Sequence, residues 1–251
     1  METRLYGFNN LKECDQLFFA SCDSKYFIDH VVPWGESITR FDINAHAHVI
    51  NPSLDCFSLI DHLKTNMPKL AVTFEVTDLP NNLNTQRVYY SCNRFMVADK
   101  IVPYANTIAI TDIDCLLMKK VDIPTAPIGI FLRDSLPGTI GWEFQGTKCA
   151  AGILSVSGGG KGFLNMVHAR INEIVIDNGW RWFTDQVAIF EVYRSMGLED
   201  EVFKYTKEWL DWDFVDNTII WTGKGDRKYK DETYLKAKEN VTESYYTKAT
   251  S

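Results

Sequence analysis

Two acidic side chains, separated by one residue, follow an apolar segment near the middle of the chain. The segment from Thr107 to Leu117 reads TIAITDIDCLL, so Asp112 and Asp114 come directly after a β-branched run. Side chains alternate between the faces of a strand, so we expect both carboxylates to point to the same side. Neighbouring carboxylates repel each other and lose hydration, which favours a divalent cation with oxygen ligands beside them. The spacing therefore predicts a metal that in turn holds a diphosphate.

Alternating strand and helix patterns in the first half of the chain position these acids. The predicted strands are Leu17–Cys22, Asn44–Asn51, Leu70–Val76 and the run before Asp112, and helices are predicted over 25–39, from Ser53 onward and over 86–101. This order predicts an α/β fold with a Rossmann-like, mostly parallel central sheet flanked by helices. Ligands bind at the carboxyl ends of such strands, where Ser21, Asp23, Asp112 and Asp114 lie.

The second half of the chain has a less regular pattern. Strands are predicted over Ala126–Leu132, Lys148–Val156 and Asn217–Thr222, helices over Phe163–Asp177 and Phe183–Met196, and a mobile loop over the glycine-rich residues 157–162. The tail from about residue 231 is polar and has a helical pattern. The sequence contains no internal repeat and no linker, so residues 1–251 are predicted to form a single domain.

Composition and charge limit the possible functions. The 251 residues carry a net charge of −7, which argues against a nucleic-acid partner. The six cysteines have no Cys-x-x-Cys spacing, which indicates buried free thiols in a reducing compartment. The first residues do not resemble a signal peptide, and no apolar run approaches the roughly 20 residues of a membrane helix. We therefore expect a cytoplasmic protein without an integral membrane segment.

Several segments, in a fixed order, resemble glycosyltransferases of the GT-A fold, and most nearly the retaining group related to glycogenin and the bacterial galactosyltransferases. The segments span roughly residues 15 to 230 and are the strand ending in Ser21-Cys22-Asp23, the strand 45–51, Arg94-Phe95, Asp112-Ile113-Asp114, the strand 149–154 with Gly152, Thr184-Asp185-Gln186, and Gly225-x-x-Lys228. The resemblance implies a smaller mixed C-terminal half beside the sheet. Residues 1–120 would then be the nucleotide-binding half and 121–230 the acceptor-side half, followed by the polar tail 231–251.

The resemblance also implies a reaction and a set of site residues. A hexose would pass, with retention of configuration, from a nucleotide-sugar donor, such as a UDP-sugar, to the hydroxyl of a carbohydrate or other acceptor. Asp112 and Asp114 would bind Mn²⁺ or Mg²⁺, and Asp185 and Gln186 would be catalytic residues that hydrogen-bond sugar hydroxyls. The implied donor-binding residues are Ser21, Asp23, Arg94, Gly152, Gly225, Arg227 and Lys228.

One position departs from the family pattern. The family usually carries a metal-binding His three residues before the late Gly, and this chain has Thr222 there. Two possibilities stay open: a metal held by two aspartates and the diphosphate, or a weakly bound metal. Two other functions also stay open. One is a haloacid-dehalogenase-like phosphatase with Asp112 as the nucleophile, and the other is a catalytically inactive nucleotide-sugar-binding protein.

Overall fold

The computed structural model describes residues 3–8, 11–133, 148–197 and 201–249. The strands in these ranges are β1 (Thr3–Tyr6), β2 (Cys14–Asp23), β3 (Asn44–Ile50), β4 (Leu70–Thr77), β5 (Ala105–Thr111), β6 (Cys115–Leu117), β7 (Ile128–Leu132), β8 (Cys149–Ser157), β9 (Val202–Lys204), β10 (Leu210–Asp211) and β11 (Ile220–Thr222). The α-helices in these ranges are α1 (Ser24–Thr39), α2 (Leu54–Asn66), α3 (Leu83–Met96), α4 (Ala98–Ile101), α5 (Lys161–Asn178), α6 (Thr184–Met196), α7 (Arg227–Lys230) and α8 (Glu232–Ala249).

A large sheet forms the centre of the described structure, in the strand order β1-β4-β3-β2-β5-β8-β7-β9. Its core of β4, β3, β2 and β5 is parallel, as the alternating sequence pattern predicts. Strand β8 runs antiparallel to β5, and β1 is an antiparallel edge strand beside β4. The carboxyl ends of β2 and β5 are therefore neighbours at one edge of the sheet.

A second, three-stranded sheet of the order β10-β11-β6 lies next to the end of β5. Strand β11 pairs antiparallel with β6 and places Thr222 opposite Cys115. The late strand is shorter than predicted, because it begins at Ile220 and not at Asn217. This small sheet brings a segment from the end of the chain to the two central acids.

Both faces of the large sheet are covered by helices. The residues of β2 alternate: Phe18 and Ala20 join one apolar cluster with α1 and α2, whereas Leu17 and Phe19 join another with α3, α5 and α6. Burial on both faces explains why this strand is a continuous apolar run in the sequence. Helix α8 packs on the α1 side through Tyr245, so part of the polar tail belongs to the core.

Helix α1 continues through two residues that usually interrupt helices. Pro33 removes one helical hydrogen bond, but Phe27, Val31 and Trp34 on the same helix are fully or almost fully buried. A Cβ on Gly35 would lie 2.7 Å from the sulfur of Met67, so glycine permits the close contact with the end of α2. The burial of the apolar face offsets the loss of the hydrogen bond.

The glycine-rich segment is not the loop that the sequence predicts. Gly158–Gly160 forms a 3₁₀ turn, and α5 begins directly afterwards at Lys161. A Cβ at Gly160 would lie 1.7 Å from the carbonyl oxygen of Pro127. The glycine at this position therefore permits close backbone packing and does not indicate mobility.

Buried polar residues on β3 and β4 form a hydrogen-bonded group under α3. His46 and His48 both bond to the hydroxyl of Thr73, at 2.7 and 2.8 Å, and His48 lies 3.3 Å from Glu75. The two histidines thus have structural partners inside the sheet. All six cysteines are free thiols. Within the described ranges, no helix combines the length and the apolar character needed to cross a membrane.

Candidate metal and donor site

The two central acids lie in a turn and not on a strand. Strand β5 ends at Thr111, and the N–H of Cys115 donates to the carbonyl of Asp112 over 3.2 Å. The expectation that strand alternation aligns Asp112 and Asp114 is therefore wrong, because the chain reverses toward β6 at this point. The turn nevertheless gathers them: ligand atoms of Asp112, Asp114 and Cys115 lie within 4.8 Å of one another.

Arg94 links this turn to α6. The guanidinium forms an ion pair with Asp112, lies 3.4 Å from Asp185 and donates to the carbonyl of Ala151 over 3.0 Å. Only 7% of the Arg94 side chain is exposed. Although burial opposes its charged form, the two carboxylates raise the pKa of Arg94. Arg94 therefore joins three separate parts of the chain at the end of β5.

Burial dominates the protonation of the two carboxyls beside Arg94. It raises the pKa of Asp185 to about 6, against an ordinary value of 3.8, even though Arg94 acts in the opposite direction. Burial and the nearby charge of Asp114 also raise the pKa of Asp112, again opposed by Arg94. A divalent cation at this site would favour the ionised form of Asp112.

Lys228 holds the second aspartate. Its ammonium forms an ion pair with Asp114 and donates to the hydroxyl of Tyr26 over 3.0 Å. Burial opposes the charge, but Asp114 outweighs it and raises the pKa of Lys228. Each aspartate of the turn thus has its own buried cation, and both cations come from distant parts of the sequence.

The backbone of Asp114 is fixed by a residue that the sequence pattern did not single out. The hydroxyl of Tyr234 on α8 donates to the carbonyl of Asp114 over 2.6 Å, and the N–H of Gly223 donates to the same oxygen over 3.2 Å. Tyr234 is fully buried. The spacing of the buried residues Tyr234, Val241 and Tyr245 in the tail is the signal that could have indicated a packed face.

The carboxylates of the turn suit a hard divalent cation. Asp112 uses one oxygen for Arg94 and Asp114 uses one for Lys228, and no residue in the described ranges hydrogen-bonds to the other oxygen of either side chain. Burial and the two aspartates raise the pKa of Cys115, so it remains a protonated thiol. Two carboxylate oxygens are ligands typical of Mg²⁺ or Mn²⁺, so the residues fit the implied metal.

Position 222 faces this turn. Thr222 is the cross-strand partner of Cys115, so a side chain at this position lies beside the two aspartates. A histidine here would be near the metal site, whereas a threonine offers only a hydroxyl, which is a weaker ligand. The departure from the family pattern therefore lies beside the turn, and the two aspartates are the main candidate ligands there.

The remaining predicted site residues divide into two groups. Gly152 lies beside the turn, since a Cβ there would be 3.4 Å from an oxygen of Asp112. Gln186 follows Asp185 at the start of α6, and its carbonyl accepts a hydrogen bond from Cys149 over 3.2 Å. Together with Arg94, Asp112, Asp114, Asp185 and Lys228, these two residues surround one end of β5.

The second group makes other contacts. The Ser21 hydroxyl donates to Asn93 over 2.6 Å, and Asp23 caps α1 by accepting from the N–H of Tyr26 over 2.9 Å. Gly225 has a positive φ of 62° in the exposed turn after β11, and Arg227 lies 2.8 Å from Asp213. Their roles in donor binding stay predictions.

Solved glycosyltransferase structures match the chain over most of its length. The apo-form glycosyltransferase GlyE of Streptococcus pneumoniae TIGR4 matches with a TM-score of 0.54 and 10% identity, over 95% of this chain and 64% of that chain. An active-site mutant of LgtC matches with a TM-score of 0.58 and 12% identity, over 91% of this chain and 95% of that chain. No protein-family model and no curated protein sequence matches.

These matches confirm the predicted fold class. The chain has the GT-A fold of glycosyltransferases, with its mostly parallel central sheet flanked by helices. At 10 and 12% identity, the likeness concerns the fold. The chain spans 64% of the length of GlyE, so the activity of that protein is not transferred by the match.

Proposed function

We propose that the chain transfers a sugar from a nucleoside-diphosphate donor, a UDP-sugar, to the hydroxyl of a carbohydrate or other acceptor, with Mn²⁺ or Mg²⁺. The observation that carries the proposal is the pairing of each aspartate of the turn with a buried cation, Arg94 or Lys228, at the end of the central parallel strands. A site with two carboxylates and two fixed cations suits a ligand that combines a metal with a diphosphate.

The residues of the chain would divide the work. When bound to Asp112 and Asp114, the metal would neutralise charge on the departing diphosphate. Lys228 orients Asp114 and adds a positive charge beside it, and Arg94 orients Asp112 and Asp185. Ser21, Asp23, Gly152, Gly225 and Arg227 complete the proposed donor contacts.

The transferred sugar would lie between the turn and the start of α6. The bond from the anomeric carbon to the diphosphate oxygen would break, a bond to the acceptor oxygen would form, and the proton of the acceptor hydroxyl would pass to the departing diphosphate. Asp185 and Gln186 would hydrogen-bond hydroxyls of a hexose. Their place at the start of α6 agrees with the Asp-Gln helix start that the sequence resemblance implies. We propose retention of configuration at the anomeric carbon, because the sequence segments resemble those of the retaining glycosyltransferases.

The two alternatives differ in what they require of the site. A phosphatase would need Asp112 as a nucleophile, whereas its carboxylate is held by Arg94. The matching structures include a glycosyltransferase and LgtC. An inactive binding protein would keep the donor site without turnover. Thr222 beside the turn is the observation that supports this second alternative.

The test is release of UDP by the purified chain with Mn²⁺ and a panel of UDP-sugars. We expect turnover with at least one donor and a loss of about 100-fold or more in Asp114→Asn, because a lost metal ligand removes several kcal/mol of charge stabilisation. Asp78→Asn is the matched control, since Asp78 is an exposed acid directly after β4, at the same edge of the sheet.

Three outcomes separate the candidate functions. Equal turnover in wild type and Asp114→Asn contradicts the proposed mechanism. If no donor is turned over but UDP with Mn²⁺ raises the melting temperature, the chain is a nucleotide-binding protein. Release of phosphate from phosphate esters, lost in Asp112→Asn, would identify a phosphatase.

A further inference from the structure

A cluster of positive side chains surrounds the indole of Trp212, and only one of its members, Arg227, belongs to the proposed donor residues. Three cationic groups lie within about 6 Å of the ring centroid: the ammonium groups of Lys224 and Lys207, at 4.7 and 4.8 Å, and the guanidinium carbon of Arg133, at 5.8 Å. Arg227 joins them by donating to the carbonyl of Trp212. We call these five residues the Trp212 cluster.

The charges in the Trp212 cluster are not balanced within the described residues. One carboxylate, Asp213, lies 2.7 Å from Lys207 and 2.8 Å from Arg227. Neither Arg133 nor Lys224 forms an ion pair at contact distance in the described ranges, although the charge of Asp213 acts on Lys224. The Nε of Arg133 is buried without a hydrogen-bond acceptor there. Among the residues that the structure describes, four cations therefore share one acid, in a chain whose net charge is −7.

Burial, and for Lys224 also repulsion by neighbouring cations, opposes the positive charges of the Trp212 cluster. Burial, together with the nearby charges of Arg133 and Arg227, lowers the pKa of Lys224. Burial also lowers the pKa of Arg133. An anion bound among these groups would relieve both the repulsion and the lost hydration.

All five members of the Trp212 cluster fall within residues 121–230, the half that the resemblance assigns to the acceptor side of the proposed reaction. Its members come from the end of β7, from the segment between β9 and β11, and from the turn after β11. One end of the cluster is adjacent to the metal turn, because Lys224 follows Gly223, whose N–H donates to the carbonyl of Asp114. Lys207 and Arg133 come from other segments, and neither contacts Asp112 or Asp114 in the described structure.

We infer that the Trp212 cluster binds a phosphate group carried by the acceptor, so that the acceptor of this chain is a phosphorylated sugar or another phosphate ester. The inference rests on the proposed function. The planar Arg133 guanidinium can form two parallel hydrogen bonds to phosphate oxygens, and Lys207 and Lys224 supply further charge. The Trp212 ring provides an apolar surface for the carbon skeleton of the acceptor.

The experiment compares glucose with glucose 6-phosphate as matched probes, using calorimetric titration of the full chain at low salt. We expect glucose 6-phosphate to bind at least about 10-fold more tightly than glucose. Lys207→Gln and Arg133→Met should each lower this ratio about 10-fold, because each removes one charged hydrogen-bond donor. Lys204→Gln is the control, since Lys204 is an exposed lysine on β9 outside the cluster, and it should leave the ratio unchanged.

The outcomes keep this inference separate from the proposed function. Equal affinity for the two sugars, or an equal loss in Lys204→Gln, overturns the inference even if the wild type releases UDP from a donor. If inorganic phosphate binds as tightly as glucose 6-phosphate, the cluster recognises free phosphate and the acceptor assignment is wrong. A phosphate preference that depends on Arg133 in a chain that turns over no donor supports the cluster and contradicts the proposed transferase.

Discussion

Replacement of Arg94 by methionine tests the charge balance at the end of β5. Methionine keeps most of the side-chain volume but removes the cation that contacts Asp112 and Asp185. Removing one partner of a buried ion pair costs about 3–5 kcal/mol, because the other charge stays buried without compensation. We therefore expect the free energy of unfolding to fall by about 3–5 kcal/mol at pH 7.

Urea unfolding at 25 °C measures this change directly, and thermal unfolding checks it. For a chain of this size, 1 kcal/mol corresponds to about 2–4 °C, so the melting temperature should fall by roughly 6–20 °C. Arg87→Met is the matched control: Arg87 is an exposed arginine on the same helix, and its replacement should change stability by less than about 0.5 kcal/mol.

The loss of unfolding free energy in Arg94→Met should increase with pH. The folded-state pKa of Asp185 is about 6, above its ordinary 3.8, so the folded state binds more protons and ionisation lowers stability between these values. The difference between these two pKa values of Asp185 corresponds to about 3 kcal/mol of unfolding free energy in the wild type. Without Arg94 the pKa rises further, so the deficit should grow from pH 4 to pH 7. A deficit below 1 kcal/mol at pH 7, or one equally large at pH 4, would refute the reasoning.

Two further predictions concern backbone positions. Tyr234→Phe removes the hydrogen bond to the carbonyl of Asp114 and should lower the free energy of unfolding in urea by about 1–1.5 kcal/mol. The same change should raise the Mn²⁺ concentration that gives half-maximal UDP release. An unchanged Mn²⁺ requirement would contradict a positioning role of Tyr234. Gly160→Ala should destabilise the chain by more than about 2 kcal/mol, because the new Cβ meets the backbone oxygen of Pro127. Gly162→Ala in α5 should stabilise the chain by about 0.5–1 kcal/mol, since no atom lies within 4 Å of its new Cβ. Melting temperatures that shift in the same direction in both variants would show that the close approach at Gly160 does not limit stability.

The sequence predicted the parallel half of the fold well, because its strands are buried on both faces and read as continuous apolar runs. The run Leu17–Cys22 became the middle of β2, and Asn44–Asn51 became β3 almost to the residue. The short strands β1, β9 and β10 were not predicted. All four residues of β1 are exposed, so its pairing leaves no apolar pattern to detect.

The sequence singled out the residue types of the candidate site but not most of the contacts between them. Asp112, Asp114, Arg94 and Lys228 were singled out, and the structure brings them together. The pairing of each acid with its own cation, and the role of Tyr234, depend on contacts between residues far apart in sequence. Local patterns carry no information about such pairs.

The hydrogen bond from Tyr234 to Asp114 also has a consequence for synthesis of the chain. The two residues are 120 positions apart, so at about 5–20 residues per second the ribosome completes Tyr234 roughly 6–24 s after Asp114. For most of this interval Asp114 has neither Tyr234 nor Lys228, and Leu116 lacks its apolar partners Phe214 and Trp221. The parallel strands can form early on the nascent chain, whereas the metal turn is completed only after residue 234 has left the exit tunnel.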